Sequence, residues 1–596
     1  MSSQRDTPGY IPLASDVSAS LLVFFIFLLI GQVFLGVNWP LDLDAFAVLL
    51  AATFLGLFLW QYRAPASDGT ERTLISRTQV GLCLGGLLLV GALLRLYALG
   101  SPSFWFDEAI TTTAALGLLE RGTPGFPSGV EYRRGLPHTL IVAASMVLFG
   151  VSEWAARLPS VVQGVATILV TYWLGREVGD RRVGLLAAIL VTFLTWEIAW
   201  GRQARMYQQL QLCYALALLG LARMDRTGPI DPPSVSLVVA GTAVGALTHP
   251  IGLILIPVAG TYLLVQAWTT HGIRSPLTAL IVGGTVVGAV VLELLATGPL
   301  TAAQTALATD IVHVNRYRSW VRAEFPALSL LALVGMGLSF RRPKLGLLLA
   351  LALLPPLWVL AYNTYLFAGR YLYFAVPIAA IYVGFVGSFL TDRLLDVIEP
   401  VRESATGASM TRLPWSTATN FVATVVPILV VLLLVSANLT VVPQAEYELG
   451  PNAPQPDFKG AYAYVDELSE PDDVIVAGWT APAVYYHGHV DYWMVHNLTS
   501  ADRTWTIDGR YEVYSGAVPI ENASRLESAI GCHERGWIVV DRIVWQRIGP
   551  EARDVLDTLT NHDVDATGMR VYSWEHEASC DRADLATVPN ATPTAI

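Results

Sequence analysis

Apolar runs of about 20 residues, the length that crosses a hydrocarbon core as a helix, recur along most of this chain and leave room for little else. They fall near residues 20–38, 43–62, 79–98, 157–176, 183–199, 206–223, 234–248, 251–268, 277–297, 326–340, 345–363, 371–390 and 419–441. The pattern predicts a polytopic α-helical membrane protein with about 13 transmembrane helices. Composition agrees, because only 14% of the 596 residues are charged, against about 25% in an ordinary soluble domain. With 54% hydrophobic residues, a disordered or fibrous chain is excluded. A net charge of −11 without a basic stripe excludes a nucleic-acid partner. Lys344 and Lys459 are the only lysines, and this acidic, arginine-based composition suggests a high-salt, GC-rich source. Met1–Val17 is polar and the first apolar run is too long for a cleavable signal peptide.

Basic residues in short loops set the orientation. With the N terminus cytoplasmic, the inner loops carry Arg63, Arg72 and Arg77; Arg176, Arg181 and Arg182; Arg223 and Arg226; Arg274; and Arg341, Arg342 and Lys344. The run 138–150 is a short apolar stretch whose inclusion as a span would move the Arg176–Arg182 cluster outside, so it reads as a helix lying along the outer surface. Four units follow: 1–78 with two extra helices, a main transmembrane unit 79–441 with an outer loop 99–156, an outer unit 442–580, and a loose tail 581–596. The outer unit mixes a helix-like stretch, Gly460–Leu468, with strand-like runs at Asp473–Ala477 and Gly536–Val540, which predicts an extracytoplasmic α/β domain. Cys83 and Cys213 lie in apolar helices as packing residues, whereas Cys532 and Cys580 share the outer domain, where an oxidising compartment would permit a disulfide. Sequons at Asn438, Asn497, Asn522 and Asn590 lie in or beside the same region.

The chemistry-bearing residues gather at the outer ends of these spans. Ser103-Phe104-Trp105-Phe106-Asp107-Glu108-Ala109 sets two adjacent carboxylates among aromatic residues at the membrane boundary. An acid at that depth is costly and therefore a functional candidate. The plain alternative is a helix start, with both acids facing the positive end of a surface helix through Thr111–Leu119. The aromatic flanks and the outer loop favour chemistry, with Asp107 and Glu108 as the catalytic pair. Arg202 and Arg205, in Trp200-Gly201-Arg202-Gln203-Ala204-Arg205-Met206-Tyr207, could clamp a phosphate, although Arg and Trp also anchor helices at headgroups. Tyr207, His249 in Thr248-His249-Pro250 and Arg370 in Gly369-Arg370-Tyr371 complete the candidate phosphate or lipid contacts. His138 and Tyr371 are the candidates for sugar or acceptor contact. Arg316, Arg318 and Arg322 suit lipid phosphates instead. For a divalent cation only Asp107 and Glu108 are on offer, and no zinc-type spacing exists. No nucleotide-binding fingerprint is present, so a nucleotide donor has no site.

In this order, on alternate outer boundaries, the markers resemble those of GT-C membrane glycosyltransferases, and within them the group of protein O-mannosyltransferases and the lipid A aminoarabinose transferase. The resemblance runs over about residues 79–395 and rests on Asp107-Glu108, Arg157-Leu158-Pro159-Ser160, Ala204-Arg205-Met206-Tyr207, Thr248-His249, and Arg370-Tyr371-Leu372 followed by Pro377. It implies a sugar carried on polyprenyl or dolichyl phosphate and transferred on the outer face to a glycan, protein or lipid acceptor. It also implies that Asp107 is the base, that Glu108 supports it or holds an ion, and that Arg205 or Arg370 meets the donor phosphate. An archaeal dolichyl-phosphate-mannose enzyme would suit the composition. The chain departs from the pattern at Gly135-Leu136-Pro137-His138, where a Lys/His-Pro-Pro-like segment is usual, and in carrying arginines where some members have an acid after the fifth span. Direct displacement with inversion is expected, as no second carboxylate is placed as a nucleophile. Two rivals stand beside this reading. A lipid-linked-sugar transporter or flippase needs ionisable residues along a mid-membrane path, of which Glu293 is the clearest. A non-catalytic glycan-binding assembly protein needs no base.

Overall fold

The computed structural model describes residues 77–228, 231–271, 313–362, 368–406, 415–440, 456–495 and 505–579. The spans expected at 20–38, 43–62 and 277–297 lie outside these residues, as do Glu293, Cys580, Asn497 and Asn590. In chain order the helices are α1 (Arg77–Leu96), α2 (Phe106–Arg121), α3 (Leu136–Phe149), α4 (Glu153–Val178), α5 (Arg181–Phe193), α6 (Thr195–Trp200), α7 (Tyr207–Thr227), α8 (Pro232–Thr248) and α9 (Leu255–His271). They continue as α10 (Val314–Glu324), α11 (Pro326–Ser339), α12 (Pro343–Tyr362), α13 (Val376–Thr406) and α14 (Trp415–Leu434).

Among the described residues five helices are long and apolar enough to cross a membrane, or six if α10 and α11, bent by 105°, form one span. Their outward faces are what a bilayer requires. Leu82, Leu89 and Leu93 on α1, Val162 on α4 and Leu433 on α14 are all exposed aliphatic side chains. Water would penalise such a surface, and lipid does not. The protein is a polytopic helical membrane protein. α7 is nearly all buried, yet it carries Gln208, Gln209 and Gln211 on its hidden faces. The amides of Gln208 and Gln209 bond Thr167 and Thr248 at 3.1 and 3.0 Å, so this helix is cemented by a polar network inside the bundle.

The fifth apolar run does not form one helix. It breaks at Leu194 into α5 and α6, and the break pairs with Leu439 just after α14. The stretches before α9 and α13 begin as 3₁₀ turns, Pro250–Ile254 and Gly369–Ala375, which set His249 and Arg370 at the bundle's end. Asn438, at a sequon, donates its side-chain amide to the Glu324 carbonyl and so ties the end of α14 to α10.

Beyond the bundle, residues 456–579 build a six-stranded mixed sheet in the order β5-β2-β1-β6-β8-β7. Its strands are β1 (Val474–Ala477), β2 (Tyr492–Met494), β5 (Val518–Ile520), β6 (Arg535–Asp541), β7 (Thr560–His562) and β8 (Met569–Glu575), and a separate hairpin pairs β3 (Thr506–Ile507) with β4 (Tyr511–Glu512). β1 is buried at all four positions and runs parallel to β2 and β6, as a strand covered on both faces should. Helices α15 (Phe458–Leu468) and α16 (Thr480–Tyr486) flank it. Cys532 is disulfide-bonded, while Cys83 and Cys213 are free thiols in α1 and α7.

This sheet domain seats on the 99–156 segment. Ser103 Oγ donates to Pro456 O at 3.0 Å, Phe104 N donates to Tyr486 Oη at 2.7 Å, and Lys459 meets Glu153 at 3.0 Å. Aromatic rings fill the seam, with Phe106 on Trp479 at 4.6 Å and Phe126 on Tyr514 at 4.9 Å. The loop 99–135 is therefore held from both sides.

Candidate active site

Consecutive helical residues point about 100° apart, and in the first turn of α2 this separates the two acids. Glu108 turns inward and is fully buried. Arg157 donates to it through two nitrogens, at 2.8 and 2.7 Å, and Ala204 N donates at 2.7 Å. The remaining Arg157 donors take the carbonyls of Leu99, Pro102 and Ser103 at 2.9, 2.8 and 3.0 Å. A bidentate, fully hydrogen-bonded pair of this kind is strong and directional. It pins the loop before α2 and docks the 201–206 turn. Glu108 is thus a positioning residue, and its carboxylate is not available as a catalytic group or metal ligand.

Asp107 turns toward two arginines. Its Oδ2 lies 3.5 Å from Arg205 Nη2 and 3.3 Å from Arg370 Nη2. Arg205 is held in turn, donating through Nη1 to the Asp107 carbonyl and to Thr111 Oγ1, both at 2.8 Å. Burial alone would raise the Asp107 carboxyl, but the guanidiniums of Arg205, Arg370 and Arg134 outweigh it and hold the group below its usual range. Asp107 is a carboxylate at neutral pH. Among the described residues no group of three or more His, Cys, Asp or Glu could hold a metal ion, and the cations around Asp107 would repel one. The donor set suits an anion.

The anion-facing side is built from three segments. Arg370 Nε donates to Tyr207 Oη at 3.1 Å and its guanidinium packs 5.7 Å from the Trp105 ring. His249 Nδ1 accepts the Ile251 amide at 3.2 Å. Its Nε2 lies 3.4 Å from Arg134 Nη2, so an N–H donor faces each ring nitrogen. The rings of Tyr207, His249 and Tyr371 close the floor at 5.5 to 6.2 Å from one another. Gly135 makes the position of Arg134 attainable. Its φ of +70° is in the left-handed region that favours glycine.

Two expected contacts fall elsewhere. Arg202 donates to the Tyr97 carbonyl at the end of α1, because the turn after Gly201 throws Arg202 and Arg205 to opposite sides. His138 is fully buried in the first turn of α3, beside Gln209 and the Ala204 backbone. Tyr371 faces Arg134 and His249, on the anion side.

Two residues escaped sequence reasoning. Arg134 immediately precedes the Gly135-Leu136-Pro137-His138 segment, and an arginine at a helix start is its sequence signal. Glu197 lies within the fifth apolar run, three residues before Trp200, and is fully buried. Tyr373 Oη lies 2.8 Å from its Oε2 and 2.6 Å from Gln208 Oε1, and Gln211 bonds both Glu197 and the Tyr373 carbonyl. Arg95, also fully buried, is 3.9 Å away. Since Tyr373 and Arg370 share one 3₁₀ turn, this network fixes the turn that aims Arg370.

The family model described as dolichyl-phosphate-mannose-protein mannosyltransferase matches residues 134–296. No curated protein matches the chain by sequence. Among solved structures, ArnT from Cupriavidus metallidurans bound to undecaprenyl phosphate is similar at a TM-score of 0.52 and 14% identity, over 84% of this chain and 98% of ArnT. The apo form of that protein gives a TM-score of 0.48 at 12% identity over 83% and 98%. The Archaeoglobus fulgidus oligosaccharyltransferase gives 0.45 at 14% identity over 78% and 69%. The chain therefore shares the fold of ArnT and resembles the GT-C membrane glycosyltransferases of the protein O-mannosyltransferase and aminoarabinose transferase group.

Proposed function

We propose that this chain transfers a sugar, a hexose such as mannose, from polyprenyl or dolichyl phosphate to an acceptor hydroxyl on the outer face of the cell membrane. The observation that carries the reading is Asp107, a lone carboxylate held ionised among three guanidiniums at the mouth of a membrane bundle. A phosphate-linked sugar needs that combination. The acceptor oxygen attacks the anomeric carbon, the bond from that carbon to the phosphate oxygen breaks with its electron pair, and the hydroxyl proton passes to Asp107. The departing phosphate goes from one negative charge to two, so Arg134 and Arg370 stabilise the transition state more than the ground state. A positioned base contributes about 10²–10⁴-fold. With Glu108 committed to Arg157, no second carboxylate among the described residues stands ready as a nucleophile, which supports inversion.

The assignment of sides rests on two supports. The loop 99–135 and the sheet domain touch through Ser103, Phe104 and Phe106, so both lie on one side of the membrane. A disulfide at Cys532 suits an oxidising outer compartment. The transporter reading gains nothing from Arg95 and Glu197, which are fully buried and bonded within the bundle. The test is release of polyprenyl phosphate from a panel of polyprenyl-phosphate-hexoses by the purified chain in lipid nanodiscs, with product configuration read by NMR. Turnover with inversion is expected. No turnover of any donor would overturn the transfer reading, and retention would overturn the displacement.

A further inference from the structure

Two of the four sequons lie among the described residues, and the fold treats them in opposite ways. Asn438-Leu439-Thr440 follows α14 and is sewn into the bundle. Asn438 is half-buried, its Nδ2 donates to the Glu324 carbonyl, and its own carbonyl accepts Thr195 Oγ1 at 3.1 Å. Thr440 N donates to the Phe193 carbonyl at 2.9 Å, and Leu439 pairs with Leu194. Asn522-Ala523-Ser524 instead stands between β5 and helix α17 (Ala523–Gly531) of the sheet domain. Asn522 and Ser524 are both exposed, and the Asn522 backbone is extended. Its Oδ1 accepts the Arg525 amide at 2.9 Å as the helix N-cap, and among the described residues nothing bonds its Nδ2. An open groove of about 640 Å³ begins at Ala523 and Ser524 and is lined further by Glu527, Glu551, Asp554 and Thr558.

N-glycosylation puts a sugar on Nδ2 and leaves Oδ1 a carbonyl. Asn522 can accept that change and keep its cap, with the groove beside it giving room and polar partners to the first sugars. A sugar on Asn438 would have to enter the seam between α14 and α10, where the whole tripeptide is already tied down. Capping alone would explain Asn522 but asks for no hydroxyl two residues on, and Ser524 supplies one at the surface. We propose that Asn522 is an N-glycosylation site of this chain and that Asn438 is not. Its Nδ2 bonds to the anomeric carbon of a lipid-phosphate-linked oligosaccharide. The bond from that carbon to the phosphate oxygen breaks with its electron pair, and the amide proton passes to a base of the separate oligosaccharide-transferring enzyme. The proposal rests on the outer placement of the sheet domain and is independent of the chemistry at Asp107.

The test is glycopeptide mass spectrometry of the full chain purified from its own cells. The Asn522 peptide should carry an oligosaccharide, placed on that residue by fragmentation, and the Asn438 peptide should be bare. Asn522→Gln and Ser524→Ala should each abolish the modification. Asn522→Asp should abolish it too while keeping the N-cap, so its accumulation separates a lost glycan from a lost fold. A bare Asn522 peptide in the native chain, or a glycan that persists in Ser524→Ala, would overturn the site. A glycan on Asn438 would overturn the distinction between the two sequons. Labelling of Asn522→Cys on intact cells with a membrane-impermeant maleimide tells the two possible failures apart. Labelling beside a bare native Asn522 would sink the site and leave the outer placement standing, whereas no labelling beside a bare Asn522 would sink both.

Discussion

Arg134 offers the sharpest perturbation, because the residue is exposed and its near partners are His249 and Tyr371. Replacement by glutamine removes one of three positive charges without leaving a buried ion unpaired. Two unit charges about 4 Å apart attract by roughly 4 kcal/mol at an effective dielectric of 20. Solvent reaching the arginine discounts this to about 1–2 kcal/mol for one charged hydrogen bond. The expected loss of affinity for a singly charged polyprenyl-phosphate-sugar is therefore about 5- to 30-fold. Polyprenyl phosphate, with its extra charge, should lose more, about twice the free energy. Arg134→Lys should fall between. Equilibrium binding of both lipids to the chain in nanodiscs measures this directly. Losses under about threefold, or equal losses for both lipids, would refute the assignment of Arg134 to the phosphate.

Other outcomes follow from the same geometry. Arg157→Ala strands the buried Glu108 carboxylate and should cost about 3–5 kcal/mol, read as a lower unfolding temperature in detergent; Arg157→Ala with Glu108→Gln should recover part of it. Glu197→Ala should lower the transfer rate by loosening the turn that carries Arg370, and Glu197→Gln, which keeps the hydrogen bonds, should retain more activity and the parent's donor affinity. The rate requires Asp107 ionised, so activity falls as pH drops through its depressed pKa. Arg370→Gln removes one of the charges that depress it and should move the acid limb of the pH–rate profile to higher pH. A limb that stays in place would detach Asp107 from the rate.

Much of the bundle is legible because a hydrocarbon core imposes length and composition at once. The expected runs 79–98 and 157–176 correspond to α1 and α4, and 345–363 to α12. In the sheet domain the helix-like Gly460–Leu468 falls within α15, and the run Gly536–Val540 falls within β6. Broken spans hide from a hydropathy reading. The 183–199 run looks continuous since the break at Leu194 costs no polarity, and Glu197 is lost inside it. At the site, order along the chain marks which segments converge, and the structure brings Asp107, Arg205, His249 and Arg370 together. Direction is not written there. Arg202 and Arg205 sit in one turn and part ways, and Asp107 and Glu108 are neighbours with different tasks. His138 looks like a surface histidine until α3 is packed against the bundle.

The central claim is that Asp107 takes a proton during sugar transfer on the outer face. Mass spectrometry of surface glycans, from cells lacking this chain and rescued with either the native sequence or Asp107→Asn, tests it most directly. The account predicts that Asp107→Asn accumulates to the native level while the glycan stays one sugar short. Full restoration of the sugar by Asp107→Asn would contradict it.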